Sequence, residues 1–112
     1  MSKGYRQGRI GEEIRKIISD LLLHGLKDPR LDSLISITAV EVSGDNSYAT
    51  VYFSTIDRDS EEVLDAFNRA KGFIRTEIGH RMKLRHVPEL TFKYDHSLDY
   101  SSHIESILNE LS

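Results

Sequence analysis

The first hydrophobic pattern in the chain is that of an amphipathic helix. Its apolar residues recur every three or four positions and so share one face of a helix: Ile10, Ile14, Ile17, Ile18, Leu21 and Leu22. Gly25 suits a C-terminal cap, and Pro29 excludes any continuation of the helix. We therefore predict a first helix from about Gly8 to His24, preceded by a flexible arm over residues 1–7.

Three segments carry the β-branched and aromatic residues that are typical of strands. Residues 34–43 and 48–56 are separated by the turn residues SGDNS, which predicts an antiparallel hairpin. Apolar positions in the first of these segments change face partway along, and a β-bulge near Ala39 would bring them back onto one face. Residues 89–95 alternate apolar and polar side chains and predict a third strand with one buried face.

The segment between the second and third strands predicts two helices. Asp59 and Ser60 suit an N-cap, and acidic residues follow in the first turn, where the helix dipole favours negative charge. Gly72 interrupts the apolar pattern, and glycine weakens a helix interior by roughly 1 kcal/mol relative to alanine. We therefore predict a kink or break at Gly72, with one helix that ends near Ala70 and another from Phe73 to about Lys83. A crossover of this length predicts that the third strand runs parallel to the second.

The last apolar stripe predicts a C-terminal helix over residues 97–112. A chain of 112 residues with 38% hydrophobic composition is long enough for one core and too short for two ordinary domains. We therefore predict a single α+β domain over residues 1–112, in which a three-stranded sheet packs against helices.

Charge is distributed unevenly along this chain. The formal net charge is -3, yet residues 69–85 contain six cations and one acid, Glu77. The six cations are Arg69, Lys71, Arg75, Arg81, Lys83 and Arg85. Residues 41–65 reverse the balance, with seven acids against Arg58. Clustered lysine and arginine beside a helix terminus are typical of phosphate-binding surfaces, so the sequence predicts one basic face for RNA and an acidic remainder.

Several of these features have a second interpretation. The basic segment could be a solvated helix face, and within it Lys71, Arg75 and Lys83 are the better candidates for phosphate ligands, because Arg81 and Arg85 project onto the apolar stripe. The residues of the arm that would join them are Lys3, Arg6 and Arg9. The arm is either an ordinary disordered tail or a segment that becomes ordered on RNA. Alternatively, the acidic surface could make this a protein-interaction module.

The sequence contains no pattern typical of catalysis or of cofactor binding. There is no cysteine, and the five histidines lack the spacing of a zinc motif. Serine hydroxyls have no base partner at a recognisable spacing, and no phosphate-binding glycine loop occurs. No run of about eighteen apolar residues is present, and the first residues lack the apolar core of a signal peptide. We predict a cytoplasmic, monomeric protein without enzymatic activity, metal or cofactor.

Five ordered segments resemble the bacterial ribosome-binding factor A family, which has a type II KH-like domain with element order αββααβ. They are RxGExI at 9–14, KDPR at 27–30, VEVSGD at 40–45, AKGFIRTEIG at 70–79 and LRHVPELTF at 84–92. The resemblance covers residues 5 to about 108.

This resemblance implies a non-enzymatic assembly factor that binds the 30S ribosomal subunit and its 16S rRNA, including the region of the 5′ terminal helix. It also implies a part in late 30S maturation, in 16S rRNA processing and in cold adaptation. The GxxG clamp of ordinary KH domains is replaced here by Ala70, Lys71 and Gly72. Because the clamp holds a single strand through close backbone contacts, its shortening favours recognition by shape and phosphate charge.

Overall fold

The structure is a computed structural model that describes the backbone of residues 2–98 and the side chains of residues 8–97. Two helices lie on one face of a three-stranded sheet, which confirms the α+β class. The elements in chain order are α1 (Ser2–His24), β1 (Ile35–Val42), β2 (Tyr48–Thr55), α2 (Ser60–Met82), β3 (Glu89–Tyr94) and a 3₁₀ turn (His96–Leu98). The predicted C-terminal helix lies outside the described residues, except for Ser97 and Leu98 in the 3₁₀ turn.

The sheet has the strand order β1-β2-β3. β1 and β2 pair antiparallel and β3 pairs parallel with β2, as the turn chemistry and the long crossover predicted. The register between β1 and β2 shifts between Ile37 and Ala39, which confirms the bulge. Because of this shift, Val40 pairs with the buried Val51 and lies on the helix-facing side of the sheet, where it packs against the core.

Aromatic rings fasten α2 to the sheet. The ring of Phe67 stacks on Phe92 of β3 with centroids 4.6 Å apart and meets Phe53 of β2 at 5.2 Å. Such pairs contribute about 0.5–1.5 kcal/mol beyond the area they bury. Ile14 and Ile18 of α1 are fully buried in the same cluster, so both helices share one core.

α1 touches the sheet backbone at Gly11. A Cβ atom built at Gly11 would lie 2.7 Å from the carbonyl oxygen of Val40, so a larger residue requires the helix to move. This close approach fixes the position of the first turns of α1 over β1, and with them the exposed Arg9.

The predicted start of the first helix is wrong. α1 begins at Ser2 instead of Gly8, so residues 2–7 are helical and do not form the predicted flexible arm. The physical reason is that the segment contains no proline, and extending an anchored helix adds one hydrogen bond for each residue that is fixed.

The predicted break at Gly72 is also wrong, because α2 continues from Ser60 to Met82. Its buried residues Phe67, Ile74 and Ile78 keep helical spacing across the glycine, and all three are fully buried. Each such side chain contributes about 1.5–3 kcal/mol, which exceeds the roughly 1 kcal/mol cost of a glycine in a helix. The two helices expected of the αββααβ order therefore form one helix, and the described order is αββαβ followed by the 3₁₀ turn.

Candidate nucleic-acid interface

A groove of about 390 Å³ separates the second half of α2 from the loop that leads to β3. It is lined by Gly72, Arg75, Thr76, Arg85, His86 and Val87. A Cβ atom at Gly72 would meet nothing within 4 Å, so the helix backbone is open to solvent there. The predicted RNA-binding residues Gly72, Arg75 and Arg85 are thus brought to one place, and Lys71 precedes Gly72 in the chain.

Arg75 holds the loop against the helix. Its Nη2 donates to the carbonyl oxygen of Val87 at 2.9 Å and its Nε to that of Pro88 at 3.2 Å, while Nη1 lies 3.6 Å from a carboxylate oxygen of Glu89. The loop also packs on the helix at Gly79, where a Cβ atom would lie 3.0 Å from Val87. Arg75 therefore positions the loop, a role that its charge alone does not indicate.

The loop begins with a lysine in the left-handed conformation. Lys83 is the C-cap of α2, with φ 53° and ψ 40°, and its N–H donates to the carbonyl oxygen of Gly79. Leu84 N–H donates to the same oxygen at 3.2 Å. Glycine is the usual residue at such a cap, because a Cβ atom makes the left-handed conformation unfavourable by about 1–2 kcal/mol. The backbone turn thus leaves an exposed lysine where glycine would be easier to accommodate.

The cations of the basic segment divide into paired and unpaired groups. Within the part of the chain whose side chains the structure describes, the side chains of Lys71, Lys83 and Arg85 form no hydrogen bond or ion pair. Arg69 lies 3.2 Å from Asp65, and Arg81 donates to Asp20 at 2.7 Å.

The Arg81 hydrogen bond lowers the pKa of the Asp20 carboxyl group. Arg81 also lies 3.4 Å from Glu77, so most of its charge is compensated inside the fold. Two acids beside one arginine make Arg81 the least suitable phosphate ligand of the six cations. Lys71 and Lys83 have no such compensation among the described side chains and remain stronger candidates. Arg85, which the sequence ranked lower, joins them because its side chain has no described partner either.

The start of α1 lies on the other side of the same loop. Ile10 lines a second cleft together with Asp45, Asn46 and Ser47 of the hairpin turn and residues 84–88. Arg9 is therefore close to this end of the molecule and is exposed, whereas the side chains of Lys3 and Arg6 lie outside the description. Arg85 and His86 line both clefts.

The KDPR segment acts as a clasp between the α1–β1 loop and α2. Arg30 donates to Asp28 at 2.7 Å and to Asp65 of α2 at 3.0 Å. The side-chain hydrogen bond from Arg30, reinforced by the Arg30 backbone N–H, lowers the pKa of Asp28 to about 2. This motif is therefore explained by the geometry of the fold.

The acidic surface proposed as an alternative interface is partly used inside the fold. Asp59 is the N-cap of α2 and accepts from the N–H of Glu61 at 3.1 Å, which confirms its predicted role. Asp65 pairs with Arg30 and Arg69. Several of these carboxylates therefore stabilise local structure.

Four residues at or near the groove were missed by the sequence reasoning. Thr76, His86 and Val87 line it, and Phe73 is half-exposed although it stands next to the buried Ile74. Phe73 lies one position away from the stripe of Ile74, Ile78 and Met82, and this offset was the available signal.

The described part of the chain, residues 2–98, lacks two other kinds of site. That part of the chain has no group of three or more histidine, aspartate or glutamate side chains placed to hold a metal ion. It also has no helix that is long and apolar enough to cross a membrane.

Comparison with known proteins places this geometry in context. The family model described as ribosome-binding factor A matches residues 6–108. A ribosome-binding factor A from Geobacter sp. (strain M21) is 53% identical over 108 residues, which cover 95% of this chain and 90% of that protein.

One crystal structure and one fitted homology model are also similar. The crystal structure of ribosome-binding factor A from Thermus thermophilus superposes with a TM-score of 0.70 and 27% identity, covering 79% of this chain and 94% of that one. A homology model of the Thermus thermophilus factor, fitted into a cryo-EM map of its complex with the 30S subunit, superposes with a TM-score of 0.65 and 28% identity. This superposition covers 78% of this chain and 92% of the chain of that model.

Proposed function

The chain belongs to the ribosome-binding factor A family, and on that basis we propose that it binds the 30S ribosomal subunit through 16S rRNA. In this proposal the protein is a non-enzymatic factor that assists late maturation of the subunit and processing of its rRNA. The region of the 5′ terminal helix is the part of the rRNA that it favours.

The observation that carries the proposal is a set of three cations that have no acidic partner among the described side chains and lie beside an open stretch of helix backbone. Lys71, Lys83 and Arg85 lie within fifteen residues of each other, on α2 and the loop after it. Gly72 leaves room for a phosphate to approach the helix closely. A cation that has no acidic partner in the fold gives its full attraction to a phosphate, because no internal ion pair has to be broken first.

The arrangement suits recognition of an RNA backbone in preference to base edges. Arg75 fixes the loop, so Arg85 and His86 face the helix at a set separation. Phosphates held at both sides of such a groove are selected by their spacing, which depends on the shape of the RNA.

The mechanism follows from binding alone. A protein that binds one rRNA conformation better than another shifts the population toward the first. A tenfold difference in affinity between an immature and a mature conformation corresponds to about 1.4 kcal/mol. Occupancy of the subunit during maturation therefore requires no chemical step.

The salt dependence of binding to purified 30S subunits tests this proposal. Each phosphate contact contributes about 0.7–0.9 to the slope of log affinity against log salt. We expect K71A, K83A and R85A to weaken binding and to reduce the slope by nearly one unit each. The matched control is K93A, which removes an exposed lysine from β3, away from the groove.

The proposed face is wrong if the three variants keep the wild-type affinity and slope, or if K93A has the same effect as they do. Binding that survives nuclease treatment of the subunits, together with insensitivity to all four substitutions, would favour the protein-interaction module with its acidic surface.

A further inference from the structure

A third cleft, which is mostly apolar, lies on a neighbouring face of α2. Its volume is about 330 Å³, and it separates the α1–β1 loop from the helix. It is lined by Gly25, Leu26, Lys27, Asp28, Ala66, Arg69, Ala70 and Phe73. The Phe73 side chain is 50% exposed, which leaves much of an aromatic ring in contact with water. An exposed ring at the edge of a cleft is a typical stacking platform.

Cations lie beside this apolar surface. Lys27 is exposed and has no hydrogen bond or ion pair among the described side chains. Arg69 has a side chain that is 74% exposed, and its partner is Asp65 at 3.2 Å. Asp65 also accepts a hydrogen bond from Arg30 at 3.0 Å. Arg69 can therefore turn toward a phosphate without leaving Asp65 unpaired.

Asp28, the acid that lines the cleft, does not oppose the approach of a phosphate. Asp28 accepts from Arg30 at 2.7 Å and lies in the same ion-pair network. A site that combines an aromatic face and small apolar side chains with a cationic rim matches a nucleotide, which has an aromatic base and an anionic phosphate. An apolar protein segment would cover the rim cations Lys27 and Arg69 without offering either of them an anionic partner.

We propose that this cleft takes one unpaired RNA base, which stacks on Phe73, while Lys27 and Arg69 hold the adjacent phosphates. The inference rests on the proposed function and adds a base contact to it. The groove lined by Gly72, Arg75 and Arg85, called the Gly72 groove below, does not provide such a contact. At 100° per residue, the cleft positions 66, 69, 70 and 73 and the groove positions 72, 75 and 76 occupy neighbouring faces of α2. A single strand can therefore cross the helix at Gly72, where no side chain obstructs it.

Two oligonucleotides separate base stacking from phosphate attraction. One is a ten-nucleotide uridine RNA, and the other is the same backbone with abasic riboses. We expect the full chain to prefer the first by about 5- to 150-fold, because stacking one base on an aromatic side chain contributes about 1–3 kcal/mol. F73L should remove this preference and F73Y should keep it.

The matched control is L23A, which truncates another exposed apolar side chain, on α1 and outside the cleft. It should keep the wild-type preference. K27A and R69A should weaken binding of both oligonucleotides by similar factors, because they remove phosphate contacts. Because Phe73 is half-exposed, its replacement by leucine leaves the core cluster intact.

Binding to 30S subunits, measured in parallel, distinguishes failure of the base cleft from failure of the proposed function. Subunit binding without any preference between the oligonucleotides, or without binding of either, overturns the base cleft and leaves the proposed function standing. Absence of subunit binding by the wild-type chain overturns the proposed function itself. If F73L weakens subunit binding but keeps the oligonucleotide preference, then a protein segment occupies the cleft and the inference is wrong.

Discussion

Two residues beside the Gly72 groove are of a type that the local backbone does not favour. Gly72 lies inside a helix, where alanine would be more stable, and Lys83 adopts the left-handed conformation, where glycine would be more stable. Local preferences are overridden in this way mainly at functional sites. No side-chain packing explains Gly72, because a Cβ atom there would meet nothing within 4 Å. Substitution of either residue therefore tests the proposed interface.

We expect K83G to raise the free energy of unfolding and to weaken subunit binding at the same time. Glycine removes the unfavourable Cβ contact of the left-handed cap, and stability should rise by about 1 kcal/mol. Loss of the charge should weaken binding and reduce its salt slope. Urea denaturation measures the first effect, and titration with 30S subunits measures the second.

K83A is the matched control for this pair of effects. Alanine keeps the Cβ atom and loses the charge, so stability should stay near the wild-type value while binding weakens as in K83G. A glycine variant that binds subunits with the wild-type affinity would show that Lys83 is only a cap.

We expect G72A to stabilise α2 by about 0.5–1 kcal/mol, since alanine restricts the unfolded chain and its methyl group has open space. The same methyl group occupies the surface where a phosphate would approach the backbone, so affinity for subunits should fall. G8A is the control, because Gly8 is also helical and its Cβ atom would also meet nothing within 4 Å. Equal affinity of G72A and the wild-type chain would remove the close approach from the proposal.

At the scale of elements, the strands and their pairing could be predicted from local chemistry. The turn residues predict the antiparallel pairing of β1 with β2, and the change of face near Ala39 predicts the bulge. The long crossover predicts the parallel pairing of β3 with β2. The break at Gly72 was predicted from propensity alone, and the burial of Phe67 and Ile74 on either side of it outweighs propensity. Tertiary packing of this kind is not readable from a single helix.

The candidate site was predictable to the extent that charge decides it. Lys71 and Lys83 stand out in the sequence, whereas Arg85 projects onto the predicted apolar stripe, and none of the three has a partner among the described side chains. The role of Arg75 depends on the positions of the carbonyl groups in the loop before β3. The exposure of Phe73 depends on the path of the α1–β1 loop on the other side of the cleft. Both are contacts between distant segments, for which sequence spacing gives no signal.

We expect R75K to loosen the loop before β3 although the charge is conserved. Lysine lacks the planar fork that allows Arg75 to reach the Val87 and Pro88 carbonyl oxygens together. Loss of hydrogen bonds from a charged donor costs about 1–2 kcal/mol at a partly buried site. Urea denaturation measures this loss, and hydrogen exchange should show faster exchange of the Leu84 amide.

R81K is the control for that substitution, because Arg81 is an exposed ion-pair partner of Asp20 and binds no loop carbonyl in the described structure. Its effect on stability should stay within the 0–1 kcal/mol typical of surface pairs. If the two substitutions change stability and exchange by equal amounts, then Arg75 does not hold the loop.

At the scale of the whole molecule, the net charge of -3 is compatible with the proposed binding to RNA, because the charges are separated along α2. Acidic residues lie in its first turn and Lys83 caps its end. A helix of 23 residues is about 34 Å long, which is several times the Debye length of about 8 Å at physiological ionic strength. The acids at one end therefore barely reduce the potential at the other. The helix dipole also favours a cation at Lys83, but its effect is confined to the last turn and does not explain Lys71.

The stability of the whole fold should depend on pH in the acid range. The hydrogen bond from Arg30 lowers the pKa of Asp28 from 3.8 to about 2 in the folded chain. A carboxyl group whose pKa is lower in the folded state contributes stability that is complete above its unfolded pKa and is lost as the pH falls through the folded one. Asp20, Asp32 and Asp95 are shifted in the same direction by hydrogen bonds from Arg81, Arg58 and Ser97.

The urea midpoint should therefore stay level from pH 7 to about pH 5 and fall between about pH 4 and pH 2. D28N should lower the midpoint at neutral pH and flatten this fall, because asparagine cannot form the ion pair and does not titrate. D57N replaces an exposed carboxylate with no hydrogen bond or ion pair among the described residues, and it should leave the profile unchanged. A wild-type profile that is level down to pH 2 would mean that the Arg30 clasp between the α1–β1 loop and α2 contributes nothing to folding, and that the cleft beside Phe73 is kept in shape by apolar packing alone.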